Sequence, residues 1–328
     1  MMMFTRVLTL WSVLGLSASR SGFSSAHPSP DRNGVPYKPA LLTLKALKNE
    51  DKKKENEDLL LQALATTGMF AIERDDSDVT ASTAHLALEE WCRCAAENTG
   101  SNKDNAGTFT QVMELEDGMT QRTTLASATV GTELLALNEE MCGPTVTALM
   151  EDLRDDMAQV SQAVVQALDR VVSSRTGSST LLYDTNGKSY KTVSSIVADA
   201  THLEHFHVYE KKQAQEESHQ KTLAFHTDAG LFLAFVPGYD CQDLQDIDTS
   251  TSANNHHSFW IRDADGIERP VQFDSQKTRA VVMMGAGAEQ WLFSQQQSNV
   301  ESQPLLRATT HAVELQPGQT RAWYGKSE

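Results

Sequence analysis

The sequence predicts an α+β, mainly β fold, with a helical amino-terminal part packed on an antiparallel β sandwich or barrel. Three observations carry this. Apolar residues at helical spacing run from Val146 to Leu168. After Gly177 the chain becomes a succession of short β-rich runs separated by glycine and proline turns. Hydrophobic residues make up 40% of the 328 positions against 22% charged, the balance of a globular chain with a sizeable core. The formal charge of −16, with no basic stripe, argues against a nucleic-acid partner, which needs a surplus of lysine and arginine.

The first residues read as an address rather than as fold. Arg6 precedes an apolar run from Val7 to Leu16 and then small residues such as Ala18 and Ser19. That order is expected of a secretory signal peptide, here residues 1–26, and the run is too short to span a bilayer. The expectation is therefore the secretory pathway, either the endoplasmic reticulum lumen or the exterior, with no stable membrane span. The serine-rich stretch from Ser17 to Lys38 leaves open a second, organelle-directed address. A linker follows over 27–39, marked by Pro28, Pro30, Gly34, Pro36 and Pro39.

A mainly helical region is expected over 40–176. "LLTLKALK" starts a strand or a helix; Leu59, Leu60, Ala63 and Leu64 form a stripe that Gly68 ends before the strand "MFAIE". Residues 81–98 read as a helix, 100–130 carry no clear period, and a long amphipathic helix runs from Pro144 to about Val172. A sheet domain is expected over 177–328, with runs including "HFHVYE", "TLAFHTDAGLFLAFV", "SFWIRD", "RAVVMMG", "EQWLF" and "TRAWYG". The four cysteines, Cys92, Cys94, Cys142 and Cys241, permit two disulfides in three pairings, and are expected as ordinary thiols because no zinc spacing is present.

One stretch carries chemistry. In "TLAFHTDAGLFLAF" a histidine and an aspartate sit two positions apart in a greasy strand, where period-two geometry points both side chains the same way. Buried polar groups of this kind are costly unless something pairs with them. Downstream, "LLRATTHAVELQPGQTRAWYG" reads as a hairpin turning at Pro317-Gly318, with His311 on the incoming strand and Arg321 on the outgoing one. His226, Asp228 and His311 together make two imidazoles and one carboxylate, the ligand set of non-haem Fe(II) oxygenases, which leaves metal positions open for substrates. Arg321 offers a bidentate fork to a carboxylate nearby.

These motifs resemble the isopenicillin N synthase-like branch of 2-oxoglutarate and Fe(II) dependent dioxygenases, over most of residues 40–328. "LLLQALATTGMFAIE" is similar to that family's first helix and strand, "HTDAGL" to its metal strand, and "RATTHAV" to the strand of its second metal histidine. The resemblance implies a double-stranded β-helix (a jelly roll, cupin-like) flanked by helices. It implies iron on His226, Asp228 and His311, and 2-oxoglutarate on Arg321. O₂ would be the oxidant, ascorbate the reductant, and the second substrate a small organic molecule that is hydroxylated as succinate and CO₂ leave. Where the family reads Arg-x-Ser, this chain has Arg321-Ala322-Trp323, which leaves open an iron oxidase without 2-oxoglutarate. The family also uses a strand tyrosine on the co-substrate carboxylate; "LEHFHVYE" offers His205, His207 and Tyr209 on one face, of which His207 and Tyr209 are taken as co-substrate contacts.

Other features read as structure. His202, His205 and His207 are more simply hydrogen-bonding or substrate-facing than a second metal site. The polar insertion with Asp243, Asp246, Asp248, His256 and His257 lacks calcium-loop spacing and is expected as a loop over the mouth of the barrel. Gly285 to Ala288 is a turn, not a dinucleotide fingerprint. A non-catalytic jelly-roll binding protein keeps the fold without the chemistry, and a zinc hydrolase on the same ligands lacks an evident general base.

Overall fold

The computed structural model describes residues 35–328 apart from 49–53, 75–79, 98–102, 106–107, 131–132, 135–136, 138, 177–181, 184–187, 214–220, 242–257, 275–276 and 293–305. The expected signal peptide, the first part of the linker and most of the acidic insertion lie outside the described residues. Residues 33–328 form one compact unit.

The amino-terminal part opens with β1 (Ala40–Leu42), α1 (Leu44–Leu47), α2 (Lys54–Thr66) and β2 (Met69–Glu73). Thr43 caps α1, its Oγ1 accepting from the Ala46 amide. Gly68 ends α2 at φ +70°, and a side chain there would collide with the Arg307 carbonyl at 2.0 Å. Next come α3 (Thr80–Glu97), β3 (Lys103–Asn105), β4 (Thr108–Glu114), β5 (Thr120–Val130), β6 (Glu133–Leu134) and α4 (Glu139–Thr176). A break at Gly143 (φ 78°, ψ 166°) divides α4, and Pro144 opens the longer part. Its buried face, Met150, Leu153, Met157, Val160, Val164 and Leu168, follows the stripe in the sequence. The stretch without a clear period becomes the β4–β5 hairpin. Asp117 builds its turn by accepting from the amides of Met119 and Thr120, with Gly118 at φ +65°.

The remainder holds β7 (Leu182–Tyr183), β8 (Ser189–Tyr190), α5 (Val193–Asp199), β9 (Thr201–Lys211), β10 (Leu223–His226), β11 (Phe232–Phe235) and β12 (Tyr239–Asp240). It closes with β13 (Phe259–Arg262), β14 (Glu268–Pro270), β15 (Thr278–Met284), β16 (Thr310–Val313) and β17 (Thr320–Ser327). The major sheet runs β1-β2-β15-β11-β17-β9-β5-β4-β3, with β12 on β17 and β6 on β5. A minor sheet runs β10-β16-β13-β14. Met69, Phe235, Val281 and Met283 of the major sheet pack on Phe259, Ile261 and Val313 of the minor one, closing a jelly-roll interior. The helices cover the other face of the major sheet, where Phe206, Ala322 and Tyr324 meet Trp91 and the stripe of α4.

Four expectations change. "TLAFHTDAGLFLAFV" is not one strand: it breaks after His226 and resumes at Phe232, so β10 and β11 belong to different sheets. β16 and β17 are not a hairpin either. Pro317-Gly318 does make the turn, with the Gln319 amide donating to Gln316, but it carries the chain from the minor to the major sheet. "EQWLF" begins as a helical turn, Ala288–Leu292, instead of a strand. The cysteines are all paired, Cys92 with Cys241 and Cys94 with Cys142. Two positions apart on a helix, Cys92 and Cys94 point some 200° apart and so reach different elements, which spacing alone does not reveal.

Candidate metal centre and anion pocket

β10 and β16 pair so that His226 lies directly opposite His311. Their rings stand 4.3 Å apart. Each ring is oriented by its own strand: Nδ1 of His226 lies 2.8 Å from the Ala224 carbonyl, and Nδ1 of His311 lies 3.1 Å from that of Thr309. A carbonyl only accepts, so the proton belongs on Nδ1 and the Nε2 lone pairs are left to face one another. The Asp228 carboxylate closes the triangle, one oxygen 3.9 Å from Nε2 of His226 and the other 3.9 Å from Nε2 of His311.

That spacing is too long for hydrogen bonds between the three groups and short enough for them to share one ion. The three ligand atoms all lie within 4.8 Å of one another, the one such His/Cys/Asp/Glu cluster among the described residues. Two imidazoles and a carboxylate, with protons held away from the centre, fit a divalent iron. Burial pushes the His311 imidazole below its usual range, favouring the neutral form that a ligand needs. The pair is less enclosed than a buried strand would make it: the His226 and Asp228 side chains keep 42% and 34% of their exposure, against 6% for His311. They sit where the chain leaves the sheet, at an opening.

Backbone supports the loop that carries Asp228. The Ala286 amide donates to the Asp228 carbonyl at 2.7 Å, that of Gly285 to Leu231 at 2.9 Å and that of Gly287 to Gly230 at 3.1 Å. A side chain on Gly285 would meet the Gly230 carbonyl at 2.1 Å. "GAGA" is thus a turn with a task, to buttress the metal loop.

Next to this centre the inner face of the major sheet carries polar residues in rows. Tyr209 of β9 lies opposite Arg321 of β17 on one side and Arg122 of β5 on the other. The next row is Thr124, His207 and Trp323, and the third is Ala126, His205 and Gly325. Arg321 donates to the Ser258 hydroxyl and, at 2.8 Å, to the Gly238 carbonyl; its guanidinium lies 5.4 Å from the Trp323 ring. Trp323 stands where the resembling family has serine and packs edge-on against Tyr209 at 5.2 Å. His207 Nδ1 is 2.9 Å from the Thr124 hydroxyl. Burial raises the Tyr209 phenol, and burial lowers both imidazoles, His205 to about 4 with help from the Arg122 charge. All three are neutral hydrogen-bonding groups at neutral pH.

The structure therefore brings His226, Asp228 and His311 together and sets Tyr209, His207 and Arg321 on the face behind them. His202 goes elsewhere, to the outer face, where its ring reaches the Val197 carbonyl and Glu328. Arg122 is the functional candidate that reading the sequence missed. The Asp117-Gly118 turn followed by the alternation in "TQRTTLASATV" would have placed it on a strand.

No family model matches the chain, and no curated protein matches it in sequence. Among solved structures it is similar to JOX2 in complex with 2-oxoglutarate, iron and JA, with a TM-score of 0.53 at 11% identity, over 91% of this chain and 77% of that one. It is similar to the dioxygenase for auxin oxidation 1 of Arabidopsis thaliana in its 2-oxoglutarate complex, with a TM-score of 0.51 at 12% identity, over 88% and 91%. The dioxygenase for auxin oxidation of rice gives 0.52 at 14% identity, over 88% and 82%. The chain has the double-stranded β-helix fold of the 2-oxoglutarate and Fe(II) oxygenases.

Proposed function

We propose that the chain is a non-haem Fe(II) and 2-oxoglutarate dependent dioxygenase that hydroxylates a small organic substrate. The observation that carries this is the convergence of two Nε2 lone pairs and one carboxylate, each imidazole proton tied back to a strand carbonyl. His226, Asp228 and His311 would hold the iron. Bound there, iron would supply the activation of O₂ that couples decarboxylation of the keto acid to oxidation of the substrate. Arg321 would take the far carboxylate of 2-oxoglutarate, with Tyr209 and His207 lining the path between. The apolar interior covers the centre on one side only, with Phe259 stacked on the His311 ring at 5.4 Å.

Anaerobic addition of Fe(II) and 2-oxoglutarate to the purified protein should produce a visible charge-transfer band, and admission of air should release succinate. His311→Ala should abolish iron uptake; unchanged uptake refutes the ligand assignment. A second reading, an iron oxidase without 2-oxoglutarate, draws on Trp323 standing in place of serine beside Arg321. Iron uptake with no band would favour it.

We also propose that the protein works in the secretory pathway or an organelle reached through it. The leader in the sequence supports this, and so do two disulfides, which persist in oxidising compartments. Loss of secretion from a eukaryotic host on removal of residues 1–26 would bear it out. Among the described residues no helix is long and apolar enough to cross a membrane.

A further inference from the structure

The charges on the inner face do not balance. Lys211 has Asp117 at 3.9 Å, and Asp228 belongs to the metal centre. If 2-oxoglutarate bridges the iron and Arg321, as proposed above, one cation is left over: Arg122. Its described contacts are the Met113 sulfur, 2.8 Å from a guanidinium nitrogen, and the Tyr209 phenol. Among the described residues no carboxylate lies within ion-pair reach of it, and its buried Nε has no acceptor. The side chain is part-buried, its Nε shut off from water, and with only a thioether and a phenol for company the guanidinium keeps bonding capacity for an anion. Its place in the sheet also differs from that of the arginine assigned to the keto acid. It lies on the far side of Tyr209 from Arg321, two strand spacings or about 10 Å away along the row.

From this we infer that Arg122 is the anchor for a carboxylate on the primary substrate, which is therefore a small organic acid. The neutral imidazoles of His207 and His205 lie on the same face in the next two rows, close enough to feel the Arg122 charge. The surroundings describe the rest of the molecule. Met113 and Tyr209, which touch the guanidinium, belong with Leu115, Leu315 and Trp323 to one apolar cluster, suited to an acid with a hydrophobic body. Bound there, the acid would be fixed at one end, which favours presenting one C–H bond and not others. Calling this acid the primary substrate rests on the iron reading; anion binding at Arg122 does not.

The test uses phenylacetate and hexanoate as probes, with phenylacetamide and hexanamide as uncharged controls, titrated calorimetrically into the full chain. It is run on the metal-free protein and, without oxygen, on protein loaded with Fe(II) and 2-oxoglutarate. At least one acid should bind both forms at least tenfold more tightly than its amide. Arg122→Gln should lose at least tenfold in acid affinity while retaining the charge-transfer band, and Arg122→Lys should recover part of the affinity, which separates a lost charge from a lost fold. Equal binding by Arg122→Gln, equal binding of the amides, or no binding of either acid to the wild type overturns the inference. So does loss of the band in Arg122→Gln with its survival in Arg321→Gln, since Arg122 would then hold the keto acid. Acid binding without iron uptake leaves the anion site standing and removes the proposed reaction.

Discussion

The two faces of β9 handle charge in opposite ways. Its outward residues meet the helices, and there the buried charge has partners. Glu204 accepts from Arg154 at 2.5 Å, from the Thr129 hydroxyl at 2.7 Å and from Lys326 at 3.1 Å, while Lys326 also reaches Glu328 at 3.6 Å. Arg154 and Glu204 are 0% and 1% exposed, so this network ties α4 to three strands of the sheet and is closed to solvent. The inward residues, His205, His207 and Tyr209, look onto Arg122, Arg321 and the metal triad, where ligand atoms face one another at 3.9 Å without touching. The closed set holds architecture. The open set has spare bonding capacity, which is what a binding site requires.

Substitutions should behave accordingly. Glu204→Leu leaves Arg154 and Lys326 buried against the sheet with too few acceptors, and should remove roughly 3–5 kcal/mol of stability by chemical denaturation. If it proves neutral, the outer network is not structural. The next effect is one of pH. The His205 imidazole falls from its ordinary 6.5 to about 4 by burial and the Arg122 charge, so the folded state binds fewer protons than the unfolded one. Its contribution is complete above about pH 6.5 and is lost as pH falls toward 4, at most about 3 kcal/mol. Melting temperature followed over that window should drop more steeply for the wild type than for His205→Gln.

Gly285→Ala drives a methyl group into the Gly230 carbonyl 2.1 Å away and should cost about 1–3 kcal/mol. Because the displaced loop carries Asp228, iron affinity should fall with it, and titration of Fe(II) under anaerobic conditions would show this. The smallest effect should come from Arg122→Met, which removes an inner-face charge lacking a carboxylate partner among the described residues. Stability should change by less than about 1 kcal/mol, in contrast to Glu204→Leu. A loss of several kcal/mol would mean that Arg122 belongs to the architecture after all.

Much of the fold was legible. The stripe of α4 is visible because a helix buried on one side repeats its apolar residues at 3.6, and Gly68 and Pro144 mark boundaries through their own backbone limits. The β4–β5 hairpin was less visible because its strand residues, threonine and serine among them, alternate between a sheet's helix-covered face and a polar interior. The apparent hairpin of β16 and β17 was misread for a different reason. A turn specifies a reversal of direction, not which sheet receives the returning strand, and in a jelly roll the two sheets alternate.

By itself the sequence determined the identity and spacing of His226, Asp228, His311 and Arg321, since side-chain chemistry is a local property; that Asp228 reaches the centre from a loop and not from the strand it was read on is a tertiary fact. It determined the broad class too, helices first and sheet after, because hydrophobic periodicity is local as well. Only the tertiary structure decided that Arg122, Tyr209 and Arg321 lie in one row, that Gly285 braces the loop of Asp228, and which cysteines pair. Those are facts of strand register and of contacts between segments far apart in the chain. They are settled when two sheets close over a shared interior, and no local pattern encodes them.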